Sequence, residues 1–200
     1  MGNTRRHPIV ALVSSVGGLD ALTRVLAPLP ADFPAAVIAL QHSEPDRTSE
    51  LAPLLGGRCD LELVAVEDGT PLDPGHLYVA PPGRHVLLRR DETLALIASG
   101  AYPPHRPSAD LLLVSLAIVI DRRAIAVVLS GRGNDGATGA SAIHEFGGVV
   151  IAADEASSKE FSMPSATIGR HDAVDHVVHV DEIAALLESI TRSRDPSDTL

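Results

Sequence analysis

The chain has 200 residues, enough for one domain with a substantial buried core and enough for an enzyme. Sixteen Lys and Arg against 26 Asp and Glu give a formal net charge of −10, which repels phosphate backbones and anionic lipid and sets nucleic acid aside as a partner. One cysteine, Cys59, excludes an intrachain disulfide and a thiolate zinc centre, while two Tyr, three Phe and no Trp leave a core of Ala, Val, Leu and Ile that favours α/β layering.

Residues 9–13 form an apolar run that breaks into Ser14-Ser15-Val16-Gly17-Gly18 before a helical stretch over 19–26. This is the pattern of a buried parallel strand feeding a helix. Pro28-Leu29-Pro30 ends the helix, and 35–40 is a second strand ending at Gln41-His42-Ser43. A short helix around 49–55 leads to a third strand over 61–66. The segments 76–80, 85–90 and 93–97, joined by turn residues, predict an antiparallel hairpin or meander at one edge of the sheet. A proline-rich loop, 101–108, follows, and Ser108 to Asp110 can cap a helix over 111–120. The strand 124–129 ends in Ser130-Gly131-Arg132-Gly133-Asn134-Asp135-Gly136, with a helix over 137–146 stopped by Gly147-Gly148. A strand over 149–153, a short helix starting at Ser162, a last strand over 173–180 and an amphipathic helix over 181–191 complete the pattern.

The expected fold class is therefore α/β: a doubly wound, mostly parallel sheet with helices on both faces and an antiparallel edge hairpin. One domain is expected over 1–193, with a flexible tail over 194–200. No apolar stretch reaches the roughly 18 residues of a membrane span, and no signal peptide is recognisable, so the expected location is cytoplasmic. No cofactor is expected, and no histidine pair has a zinc-site spacing with a third ligand, so no metal is expected either.

In an open α/β sheet, chemistry gathers outside the carboxyl ends of the strands, and Ser15, His42 and Asp135 all fall at such ends. A hydroxyl nucleophile needs a base, and an imidazole base needs a carboxylate to fix its tautomer. The plainer reading of Ser14 and Ser15 is that they cap the following helix. No G-x-S-x-G elbow is present, so a lipase-type reading has no support. Gly131 to Gly136 also matches G-x-G-x-x-G between a strand and a helix, which would mean a dinucleotide, although Asp135 puts a negative charge where pyrophosphate would approach. His85 and His105 are candidates for lining the site, and either would replace His42 as base if the strand ends lie elsewhere.

These residues resemble the catalytic domain of the chemotaxis protein-glutamate methylesterases, the CheB family. The likeness runs through Ser14-Ser15-Val16-Gly17-Gly18, Gln41-His42, Gly75-His76-Leu77-Tyr78-Val79-Ala80-Pro81, His105-Arg106-Pro107-Ser108 with Asp110, Leu129 to Ala137 around Asp135, and Phe161-Ser162-Met163-Pro164. Each piece is weak alone, but six in the right order are a strong signal. The resemblance implies a serine hydrolase that removes methyl esters from γ-glutamyl groups of cytoplasmic chemoreceptor helices, with glutamine deamidation in some members. It assigns the nucleophile to Ser15, the base to His42 and the orienting carboxylate to Asp135. Val16, Arg132, Gly133, His85, His105 and Met163 are expected around the oxyanion hole and pocket.

The chain departs from the family pattern at Val16, where threonine is common, and at Arg132, where methionine is common. A backbone N–H at 132 would still serve an oxyanion, and the Arg132 side chain would add a cation to the rim. Ser43-Glu44 and Ser162 also depart. Only eight residues precede the first strand, so no phosphorylatable receiver domain is expected here. Constitutive activity or a separate regulatory partner is expected instead. The expected partner is a methylated chemoreceptor or similar sensor as substrate; the alternatives are a non-catalytic binding module of the same fold and a dinucleotide-binding domain.

Overall fold

The structure, a computed structural model, describes residues 7–43, 51–98, 106–170 and 172–193. In chain order the strands are β1 (Ile9–Ser14), β2 (Ala36–Gln41), β3 (Glu62–Val64), β4 (His76–Val79), β5 (Arg84–Leu88), β6 (Leu94–Ala98), β7 (Ala124–Val128), β8 (Val149–Ala153) and β9 (His176–Val178). The helices are α1 (Gly18–Leu26), α2 (Leu51–Gly56), α3 (Ala109–Ile120), α4 (Ala137–Glu145), α5 (Ser162–Ile168) and α6 (Ile183–Ser193).

β1 is buried along its whole length, with Ile9, Ala11 and Val13 facing one core and Val10 and Leu12 the other. An unbroken apolar run demands such two-sided burial, and a central parallel strand provides it. Seven strands make one parallel sheet in the order β3-β4-β2-β1-β7-β8-β9. α3, α4 and the β5–β6 pair cover one face, while α1, α2 and α6 cover the other. The strand order reverses between β1 and β7, so the crevice outside their carboxyl ends is the switch point at which open α/β sheets bind ligands. Ser15 and Ser130 stand at its two lips.

The doubly wound class is as expected, but the edge differs in detail. β4 belongs to the parallel sheet, between β2 and β3, because three of its four residues are buried. Pro81-Pro82 then turns the chain away, as residues without a backbone N–H cannot continue a ladder. β5 and β6 pair only with each other, and Val86, Leu88 and Leu94 pack into the cluster that holds Leu112, Leu113 and Leu116 of α3. The hairpin thus shares the main core. The third and last strands are shorter than expected, and a 3-10 turn at Val180–Glu182 leads into α6. The tail 194–200 lies outside the described residues. Among the described residues, no helix is long and apolar enough to cross a membrane, and no group of three or more His, Cys, Asp or Glu is placed to hold a metal ion.

Candidate active site

The two serines at the tip of β1 have different surroundings. Ser14 is fully buried and its Oγ donates to the carbonyl of Leu40 at 3.3 Å. Ser15 is half-buried, and its hydroxyl has no hydrogen-bond partner among the described residues. Neither serine caps α1: the cap is Gly17, at φ 81, with no side-chain hydrogen bond. The capping reading is therefore corrected. Gly17 is required for its left-handed backbone, which turns the chain directly after Val16.

Ser15 is held against the tip of β7. Its N–H donates to the Ser130 carbonyl at 3.0 Å, and the Ser130 Oγ donates to the Val16 carbonyl at 2.8 Å while accepting the Glu160 N–H at 2.9 Å. Gly131 packs so closely that a Cβ there would overlap both Met163 and the Ser15 Cβ. Among the described residues, the N–H groups of Val16 and Arg132 donate no hydrogen bond. Donors left open beside a hydroxyl are the raw material of an oxyanion hole.

His42 follows β2, its N–H donating to the Ser14 carbonyl at 3.1 Å. Its Nε2 meets Oδ2 of Asp135 at 2.8 Å, with the two side chains only 10% and 4% exposed. Asp135 also accepts from Ser108 Oγ at 3.0 Å, Ala109 N–H at 2.7 Å and Asp110 N–H at 3.0 Å. It therefore sits on the N-terminus of α3, where the helix dipole favours negative charge. Burial pushes its carboxyl up and is the largest single influence, but the hydrogen bond from His42 and those from the backbone together hold it below the ordinary aspartate range. The carboxylate is ionised and fixed. Ionised, it accepts from Nε2 and so sets the neutral imidazole as the Nε2–H tautomer.

The other expected residues separate into rim and support. Val16, 40% exposed, stands on the rim, and Arg132 and Gly133 are exposed, Gly133 at φ 89. Arg132 is paired with Glu160, Nε to Oε2 at 3.2 Å, so the rim cation is partly neutralised. Met163 is fully buried behind Gly131. His85 is buried behind Ser108, its Nδ1 accepting the Ser108 N–H at 3.1 Å, which removes it as a substitute base. His105 and Glu44 lie outside the described residues.

Several contributors were not singled out from sequence. Ser130 and Glu160 stitch the serine turn to the loop after β8, and Lys159 lays its stem against Gly17. Asp110, expected as part of a cap and of the family's proline loop but given no role at the site, accepts the N–H groups of Gly136 and Gly139 at 2.9 and 2.8 Å. The N-terminus of α4 is thereby filled by a carboxylate of the same chain, which removes the phosphate site that the dinucleotide reading requires.

Fold and site together define a doubly wound α/β domain that gathers a hydroxyl, an imidazole and a carboxylate at the tips of three adjacent strands. The family model described as CheB methylesterase matches residues 10–187, and the chain belongs to that family. It is 38% identical over 179 residues to a protein-glutamate methylesterase/protein-glutamine glutaminase of Pectobacterium atrosepticum, covering 88% of this chain and 51% of that protein. It is also 38% identical over 181 residues to the protein-glutamate methylesterase FrzG of Myxococcus xanthus, covering 90% and 54%. The chain spans about half the length of these curated relatives. The Thermotoga maritima CheB methylesterase catalytic domain superposes with a TM-score of 0.87 at 32% identity, covering 92% of this chain and 99% of that one.

Proposed function

We propose that this chain is a serine carboxylic-ester hydrolase that removes methyl groups from γ-glutamyl methyl esters of a chemoreceptor-type protein in the cytoplasm. The observation that carries the reading is the 2.8 Å His42–Asp135 hydrogen bond beside a serine whose hydroxyl is uncommitted. The names of the relatives support the ester and the γ-glutamyl group.

Ser15 Oγ attacks the ester carbonyl while His42 takes its proton. Because Nε2 is engaged by Asp135, the base is Nδ1. The N–H groups of Val16 and Arg132 receive the developing oxyanion, so neither departure at these positions removes a backbone donor. The imidazolium returns its proton to the departing methoxide, methanol leaves, and water, deprotonated by the same nitrogen, splits the acyl-serine to glutamate. A glutamine amide would follow the same route with ammonia as the leaving group, which matches the second activity named for the Pectobacterium relative. The Ser15–His42 hydrogen bond closes as substrate excludes water, since such contacts tighten in the productive complex.

Ser15→Ala tests the reading: methanol release from a methylated receptor fragment falls by at least about a thousandfold with the circular dichroism spectrum unchanged. Turnover equal to the parent would overturn it.

A further inference from the structure

β5 puts one polar side chain at an otherwise apolar buried position. His85, 4% exposed, precedes the buried Val86. Its Nδ1 accepts the N–H of Ser108 at 3.1 Å, so Nδ1 carries a lone pair and the neutral ring holds its proton on Nε2. Nε2 is buried and has no hydrogen-bond partner among the described residues. A buried N–H without a partner destabilises the folded state, and an apolar residue at this position would not carry that penalty. What the imidazole offers in return is a single acceptor, aimed at Ser108.

Ser108 is the N-cap of α3. In the usual capping box, the N-cap N–H is taken by a Glu or Gln three residues on. That position is Leu111, which has no acceptor, and His85 fills the place from another element. Ser108 Oγ then accepts the Leu111 N–H at 3.4 Å and donates to Oδ1 of Asp135 at 3.0 Å, beside the Ala109 and Asp110 N–H groups that reach the same carboxylate.

We propose that His85 is a positioning residue: its neutral imidazole anchors Ser108, and through Ser108 the start of α3, so that Asp135 presents Oδ2 to His42. The kinetic part of this inference rests on the hydrolase reading. Burial pushes His85 below the ordinary histidine range, and Arg106 acts in the same direction; the charge of Asp135 opposes them without prevailing, so the ring is neutral at physiological pH.

Two variants of the full chain test the proposal. His85→Asn keeps an acceptor close to the position of Nδ1, and His85→Leu removes it. His85→Leu lowers kcat for methanol release about tenfold with KM within about twofold, the size of effect expected from one lost neutral hydrogen bond. It also moves the low-field proton resonance of the His42 Nε2–H upfield, and His85→Asn restores most of both. Parental kcat and an unmoved resonance in His85→Leu overturn the proposal, as does a His85→Asn variant no better than His85→Leu. Should His85→Leu fail to fold, the nitrogen-15 shifts of His85 in the parent decide: an unprotonated Nδ1 with Nε2–H supports the proposal, and an Nδ1–H or doubly protonated ring at neutral pH overturns it. Should the parent release no methanol and Ser15 resist acylating reagents, the hydrolase reading fails separately, and the His42 resonance in the two variants still decides the role of His85.

Discussion

Asp110 and Asp135 exchange helices. Asp135, just ahead of α4, accepts the first N–H groups of α3, and Asp110, in the first turn of α3, accepts the N–H groups of Gly136 and Gly139 at the start of α4. Each carboxylate satisfies donors that its own helix could not reach, and together they lock the two helix starts side by side. The His42 partner is thus held from below by backbone, which no rotamer change can withdraw.

Asp135→Asn removes the charge and places an amide NH2 either at the Oδ2 position, against His42 and the Ala109 N–H, or at the Oδ1 position, against the Asp110 N–H, one donor facing another. The kcat for methanol release falls by about ten-thousandfold, as expected when the base loses its correct tautomer. A loss smaller than tenfold would mean that the carboxylate does not orient His42.

Asp110 and Asp135 give stability opposite dependences on pH. Burial raises the Asp110 carboxyl above its ordinary value and the charge of Asp135 adds to this, so the folded chain binds that proton more tightly than the unfolded one. Its contribution therefore improves as pH falls from neutral through the raised value. Asp135 is depressed, so its contribution is complete above the ordinary aspartate range and is lost as pH falls through the depressed value. Urea unfolding should show Asp110→Asn, which keeps the acceptor, losing the gain on mild acidification, while Asp110→Ala is less stable than the parent by about 1–3 kcal/mol because two N–H groups lose their partner.

Gly131→Ala would drive a methyl group into Met163 and the Ser15 Cβ. Overpacking of this kind costs about 1–3 kcal/mol, a fall in Tm of several degrees for a chain of this size. Because Ser15 shares the displacement, kcat falls as well. Thermal unfolding and methanol release, measured together, check both effects; a fall in Tm with parental kcat would show that Gly131 does not set the position of Ser15.

Lys159, whose stem lies against Gly17 of the serine turn, has no ion-pair partner among the described residues, whereas Arg132 is engaged by Glu160. In a chain of net charge −10, a local cation favours an acidic peptide over a neutral one. Lys159→Glu is expected to lower kcat/KM for an acidic γ-glutamyl ester peptide several-fold at low salt and to leave a neutral ester nearly unchanged. Equal losses on both esters would assign Lys159 to packing instead.

The strand tips were legible because apolar runs of five or six residues ending in polar clusters mark buried parallel strands, and that alone brought Ser15, His42 and Asp135 to one edge. The likeness to the CheB family added the roles expected of them. The hairpin was legible as a hairpin but not in its location, since turn residues fix local pairing and say little about which sheet a strand joins. The burial of His85 behind Ser108 and the exchange between Asp110 and Asp135 join residues 23 to 29 apart in sequence, and no periodicity reports such contacts. The ring nitrogen that His42 turns to Asp135 is likewise set by packing and not by residue type.

The central claim is that Ser15 is a nucleophile activated by His42. Mass spectrometry after treatment with a fluorophosphonate tests it most directly. The account predicts one adduct, on the peptide that contains Ser14 and Ser15 and assigned to Ser15 by fragmentation, with labelling lost in His42→Ala. No adduct, an adduct on Ser14, or labelling that survives His42→Ala would contradict it.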